Sequence, residues 1–337
     1  MKIHALAVTL GLTISIAPGF AQDTEAPYKV AKATKVGGEG GFDYVYADVE
    51  GRRLYVPRTG PKKRISVYNL DTLEVAGEFP DVSARGVAVD PKSHHGFSTS
   101  KPVVMWDSET LKTIKTIPVK GDPDGILFDA FNQRVYVLSH SAPNATVIDT
   151  KDGTVLGTID LGGAPEQAVT DLKGHLYVDL EDKDKVAVVD VETMKVTAQY
   201  DLGESKAPAG LAFDVENNIL FVECREPATS VIMSAADGKI IKTLPIGAGV
   251  DGAQFNPKTM EAISSQGDGS LTFVKEKDAT TFEVEQNLKT MPSAKTMTLD
   301  TKTGRILLIA AEFGKPAPGA RRGAMVTGSF TILEVAK

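Results

Sequence analysis

Asp43, Arg85, Asp124, Glu166, Ala209, Asp251 and Lys295 share one register of a repeating pattern, each five residues ahead of an Asp or Asn that ends a short apolar run. Six of these seven residues are charged, four acidic and two basic. A turn position repeated for structural reasons alone favours one small residue, Gly above all, rather than a mixture of charges. Two kinds of chemistry fit the set. In one, opposite charges on adjacent copies, Asp43 with Arg85 and Lys295 with Asp251, pair and plug a wet opening. In the other, the set binds something polar. The carboxylates of Asp43, Asp124, Glu166 and Asp251 suit a hard divalent cation such as calcium, which takes several oxygen ligands, and Arg85 and Lys295 orient an anionic group.

A second set falls between the second and third strands of each copy: Arg58, His140, Glu181, Asp182, Glu223, Cys224, Arg225, Gln266 and Glu312. These positions are expected as loops over the same opening, and loops on a rigid scaffold are where binding groups collect. His140 is placed to act as a general base beside Glu166 or Glu181, with Asp43 as a further catalytic carboxylate. His94, His95 and His175 fall in turns at the opposite end, which argues against a zinc site built from several histidines. Arg225 favours the thiolate of Cys224 if the two share a pocket; the alternative is a buried, inert thiol. Residues 311–328, with Pro316, Pro318, Arg321 and Arg322, form a longer connection than their counterparts, suited to a lid or an anion-binding loop.

The elements that must position these groups come from the repeat itself. The strand-ending residues are Asp48, Asp90, Asp129, Asp171, Asp214, Asn256 and Asp300, with spacings of 42, 39, 42, 43, 42 and 44. Each copy reads as four short strands with alternating β-branched and aromatic residues, separated by Gly, Asp and Asn turns. A period near 42 with four strands per unit predicts an all-β, seven-bladed β-propeller. In such a fold the first strand of each blade lines the central channel, so the charged register becomes a ring at its mouth. The last copy stops after its third strand, SFTILEVAK, and YKVAKATKVGG from Tyr28 precedes the first copy as an orphan strand. The N-terminal strand is therefore predicted to complete the C-terminal blade and close the circle.

The runs GGFDYVYADVEGRRLYVPR, GDPDGILFDAFNQRVYVLSHS, GTIDLGGAPEQAV and AAEFG resemble the YncE-like family of YVTN-repeat β-propellers, with the likeness running from about Tyr28 to Lys337. The tetrapeptide that names the repeat is degenerate here: LYVP, VYVL, LYVD and LFVE. The resemblance implies seven blades and export, with functions ranging from nucleic-acid or ligand binding to lactone hydrolysis.

Residues 1–21 read as a secretory leader, with Lys2, an apolar run from Ala5 to Ile16 and Gly19-Phe20-Ala21 as the cleavage signature. Residues 22–27 are then a short linker and 28–337 a single domain, periplasmic or secreted, monomeric and without a membrane span. The lone Cys224 excludes an internal disulfide. A formal charge of -7 disfavours nucleic acid, since Arg58, Arg85, Arg225, Lys295, Arg321 and Arg322 would have to converge against the surrounding acids. Three functions remain: binding a small polar or carbohydrate-like ligand or an envelope partner, hydrolase or lyase chemistry on a lactone or sugar-derived substrate, and nucleic-acid binding.

Overall fold

The recurring Asp or Asn is a turn device. Its side-chain oxygen accepts the backbone N–H two residues on, at 2.7–3.2 Å, in the pairs Asp90–Lys92, Asp129–Phe131, Asp171–Lys173, Asp214–Glu216, Asn256–Lys258 and Asp300–Lys302. In the first blade Asp48 reaches Gly51 instead, at 2.9 Å. Such Asx turns end a strand and reverse the chain. The computed structural model describes residues 27–141, 144–316, 319 and 323–337; residues 1–21, expected as a leader, residues 22–26, Pro318, Arg321 and Arg322 lie outside them.

These turns join the inner two strands of seven antiparallel blades. The inner strands are Gly41–Phe42 with Tyr46–Asp48, Val87–Asp90, Pro123–Asp129, Pro165–Thr170, Lys206–Asp214, Val250–Asn256 and Met297–Asp300. Each lies against the inner strands of its two neighbours, so they close a ring about one axis. Between adjacent blades lie apolar layers. Tyr136, Leu138 and Val147 of the third blade meet Leu176, Val178 and Ala187 of the fourth, and the same alternation recurs around the circle. Each layer buries surface from two blades, which is why an isolated blade cannot complete its own core. No helix among the described residues is long and apolar enough to cross a membrane.

Closure follows the sequence expectation. Lys29–Lys35 pairs antiparallel with Thr331–Ala336 and becomes the outer strand of the seventh blade. Tyr28 locks this strand to the sixth blade: its ring stacks on Phe273 with centroids 4.2 Å apart, and its hydroxyl donates to Glu261 Oε2 at 2.6 Å. Gln286 spans the Tyr28 backbone, accepting its N–H at 2.9 Å and donating to its carbonyl at 2.7 Å. At the same end of the blades, Arg52 joins the first and seventh blades by donating to Asp300 at 2.7 and 3.0 Å.

The long connection of the last blade is anchored at its base. Gly314 N donates to Ala324 O and Val326 N to Glu312 O, each at 2.8 Å, around a Phe313–Met325 bridge. Phe313 and Met325 pack on the layer between the seventh and first blades.

Because Tyr28 carries both a buried ring and a hydrogen bond to a carboxylate, Tyr28→Ala should lower unfolding free energy by about 3 kcal/mol and Tyr28→Phe by roughly 1–2 kcal/mol, measured by urea denaturation. Unchanged midpoints in both variants would contradict this closure.

Candidate functional site at the channel mouth

Convergence of the inner strands sets the geometry of the mouth. The residue after each ring position is Gly in four blades: Gly86, Gly125, Gly210 and Gly252. A Cβ on Gly125 would stand 2.6 Å from the Glu166 carbonyl oxygen, and one on Gly86 would stand 3.2 Å from that of Asp124. A side chain is therefore excluded at Gly125 and crowded at Gly86 and at Gly210, where the nearest backbone atom would be 3.1 Å away, whereas Gly252 has ordinary clearance at 3.6 Å. The three exceptions bridge the ring. Gln167 donates to Ala253 O at 2.8 Å and accepts from Leu211 N and Ala253 N at 3.1 Å. Thr296 Oγ1 donates to the Asp43 carbonyl at 2.5 Å. Tyr44, from the first blade, donates its hydroxyl across the channel to Glu166 Oε2 of the fourth, at 3.2 Å. Tyr44 and Glu166 are both part of the lining of a channel cavity of about 460 Å³.

Above this floor the charges form an arc of pairs. Arg85 binds Asp124 at 2.8 Å and approaches Asp122 at 3.7 Å. Lys295 pairs with Asp251, which also accepts from Arg225 at 2.5 Å. Arg225 in turn pairs with Glu181. His140 Nε2 lies 3.1 Å from Glu181 Oε2 and 3.5 Å from Glu166 Oε1. The pairing of Lys295 with Asp251 matches the plug expectation, but Arg85 turns to Asp124 rather than Asp43. Among the described residues, no hydrogen bond or ion pair reaches the Asp43 carboxylate. Ala209 is buried and contributes no charge.

Burial dominates the acids at the mouth. It pushes Asp43 up to about 7, helped by the negative charges of Asp124 and Asp251 and opposed by Lys295 and Arg85. Glu166 is raised well above the carboxylate range by burial and then by Glu181, against the pull of Arg225. Asp124 also remains raised, because burial outweighs its contact with Arg85. The Tyr44 phenol is held neutral by burial and by Glu166, Asp124, Asp43 and Asp251, which places it amid the acids.

The second strands supply the outer wall. His140, Glu181 and Arg225 occupy equivalent positions in successive blades, and two residues earlier stand Leu138, Asp179 and Glu223, the last letters of VYVL, LYVD and LFVE. Alternation along a strand sends residues two apart to one side. Glu223 therefore lies on the Arg225 side of Ile219–Glu226, and Asp179 lies in His175–Leu180 just before the short 3-10 turn Glu181–Lys183; both acids are fully buried. Neither Asp179 oxygen has a partner, and burial followed by Glu166 and Glu223 drives its pKa well above the ordinary value. Glu223 accepts from Ser230 at 2.9 Å through one oxygen only, and burial pushes it up to about 8. Asp179 and Tyr44 were missed by sequence reasoning, although each has a signal: an acid in an otherwise apolar tetrapeptide, and an aromatic where sister blades carry Gly.

Several residues expected as loop groups belong to strands. Arg58, Glu223, Cys224 and Arg225 lie in Arg53–Thr59 and Ile219–Glu226, and Gln266 ends Glu261–Gln266. Arg58 is fully buried with its guanidinium 3.4 Å from the Phe330 ring centre, and burial pulls it down to about 10. The Cys224 thiol packs with the apolar layer between the fourth and fifth blades, on the opposite side of its strand from Arg225. Burial and nearby carboxylates raise its pKa, so Arg225 does not activate it. Asp182 accepts from Ala164 N at 2.6 Å, Gln266 bonds Ser264 at 2.8 Å, and Glu312 is exposed. The four acids Asp43, Asp124, Glu166 and Asp251 do not gather as one ligand set among the described residues; His140, Glu166 and Glu181 do, with one ligating atom from each lying within 4.8 Å of the others. His95 and His175 bond Thr150 O and Asp171 at 2.7 and 2.9 Å, both near the strand-ending turns.

The protein called uncharacterized protein YncE in Salmonella typhi is 20% identical over 192 residues, covering 54% of each chain, and its counterpart in Salmonella typhimurium matches equally. The chain thus spans about half the length of the curated relatives it matches. Weak homology over about half the chain and seven blades are together consistent with a YncE-like propeller. No family model matches. Among solved structures, the RRP9 WD40 repeats superpose with a TM-score of 0.74 at 8% identity, covering 90% of this chain and 97% of that one. U3-55K gives 0.76 at 8%, covering 91% and 99%, and a chain of a mitotic checkpoint complex gives 0.74 at 12%, covering 100% and 99%. At such identities the likeness is one of fold.

The buried acids make stability depend on pH. Glu223 ionises near 4.5 when unfolded and near 8 when folded, so between these values the folded state holds a proton that the unfolded state has released. Its contribution is fully present below 4.5 and is lost as pH rises through 8, at up to about 1.4 kcal/mol per pH unit. Glu223→Gln should flatten the fall in unfolding free energy between pH 5 and 8, measured by denaturant titration. Parallel profiles for the two proteins would mean that Glu223 titrates normally.

Proposed function

We propose that the protein is an exported binding propeller that takes a small polar, hydroxylated and cationic ligand at the charged mouth. One observation carries this reading: the half-buried Asp43 carboxylate feels Asp124 and Asp251 as well as Lys295 and Arg85, yet among the described residues no donor pairs with it. A ligand ammonium would neutralise that excess, and hydroxyls would replace water on Glu166 and Arg85. Charge-assisted hydrogen bonds in a desolvated pocket are the strong ones. Export is supported by the leader at residues 1–21 and is checked by N-terminal sequencing of the secreted fraction.

Glucosamine, a cationic sugar, and glucuronate, its anionic counterpart, separate this reading from a structural plug in calorimetric titrations. Glucosamine should bind more tightly, and Asp43→Asn should weaken it at least fivefold without changing the melting temperature. Preference for glucuronate, or an unaltered affinity in Asp43→Asn, would count against the reading.

A second reading, hydrolase or lyase chemistry, is favoured by His140 standing between Glu181 and Glu166, an acid held protonated beside a base. It requires hydrolysis of a sugar δ-lactone above the spontaneous rate, abolished in His140→Ala; no acceleration removes it. Nucleic-acid binding has little support: Arg58 is buried, and Arg85, Arg225 and Lys295 are each paired with an acid.

A further inference from the structure

We infer that His140 Nε2, Glu166 Oε1 and Glu181 Oε2 form a site for one divalent d-block cation of the zinc type, with its open coordination positions facing the channel. The inference rests on reading the mouth as a binding site and adds the ion that would sit there. Three features support it independently of the acidity of the mouth.

The first is ligand geometry. The imidazole nitrogen lies 3.1 Å from Glu181 Oε2 and 3.5 Å from Glu166 Oε1. A tetrahedral ion with bonds of about 2.1 Å needs donors about 3.4 Å apart; the two nitrogen–oxygen separations straddle that value, and one ligating atom from each of the three residues lies within 4.8 Å of the others. One nitrogen and two oxygens suit zinc better than calcium, which prefers oxygen alone.

The second is the way the carboxylates are held. Arg225 occupies Glu181 Oε1 and leaves Oε2 for the site, while Tyr44 occupies Glu166 Oε2 and leaves Oε1. Each carboxylate thus has one oxygen fixed by an outer donor and the other turned toward the imidazole. That is the division of labour by which outer-shell groups orient metal ligands. A pair formed only to bind His140 would not need both glutamates braced in this manner.

The third is Asp179. It is fully buried with both oxygens unpartnered, and it stands two residues before Glu181 across an extended Leu180 (φ -114, ψ 94). Its side chain leaves His175–Leu180 on the same side as Tyr177, toward the fifth blade, just before the short 3-10 turn that Glu181 opens. An unpaired buried carboxyl is costly unless a proton or a cation compensates it.

The test is zinc binding to tag-free full-length mature protein, followed by calorimetry with elemental analysis of the dialysed complex. One zinc per chain is expected. His140→Ala, Glu166→Gln and Glu181→Gln should each weaken binding at least tenfold, while circular dichroism and the melting temperature without metal confirm that each variant is folded. His175→Ala, which removes the histidine–carboxylate pair with Asp171, should bind as the parent does. The inference is overturned by less than half an equivalent of zinc, by parental affinity in His140→Ala, by an equal loss in His175→Ala, or by calcium binding where zinc does not. Glucosamine binding that persists while zinc binding fails would overturn the metal site alone; loss of both in the parent protein would overturn the binding-site reading as well.

Discussion

The structure depends on the crowding of seven inner strands around one axis. Where two backbones approach as closely as at Gly125 and Glu166, no side chain fits between them, and Gly follows the ring residue. That constraint leaves the ring residues themselves as the side chains that can project at the mouth, so their chemistry is concentrated there. Tyr44, Gln167 and Thr296 depart from the Gly rule and bond across the ring to other blades or to backbone. The same convergence therefore makes both the floor of the site and its walls.

Concentrating charge at a narrow opening sets burial against pairing. A close ion pair near a protein surface is worth a few kcal/mol before the cost of removing both charges from water. Burial wins even at Asp124, which keeps a raised pKa despite Arg85 at 2.8 Å. It wins more clearly at Asp43, Glu166, Asp179 and Glu223, where the pairing is absent or incomplete. Arg225 partly relieves the imbalance by spanning Glu181 and Asp251, but it serves two acids at once. The arc from His140 through Glu181, Arg225 and Asp251 to Lys295 is consequently a structural network of two acids and two cations, and the incompletely paired acids Asp43, Glu166, Asp179 and Glu223 stand outside it.

Much of this was legible in the sequence because the turn chemistry is local. The Asx turns at Asp90, Asp129 and their counterparts act within two residues, so their spacing revealed the blades and the charged register. The missing fourth strand revealed the closure for the same reason. Side-chain direction was harder. Cys224 stands level with Ser139, Leu180, Gln266 and Ala310, where the other second strands end, so it looked like a loop residue when it is still strand and lies in an apolar layer. Arg58 was obscured in the same way, and it is held under Phe330 rather than over the opening. Pair choice was also hidden: Arg85 selects Asp124 because the blades bring that carboxylate to it, a matter of interblade geometry rather than spacing along the chain.

The central claim is that the mouth gathers carboxylates that burial prevents from ionising normally. It is tested most directly by carbon-13 NMR titration of side-chain carboxyls in chelator-treated protein, with Asp43→Asn assigning the Asp43 resonance. The account predicts that this carboxyl titrates near pH 7. A midpoint near the ordinary 3.8 would contradict it, because Asp43 would then be a solvated surface acid.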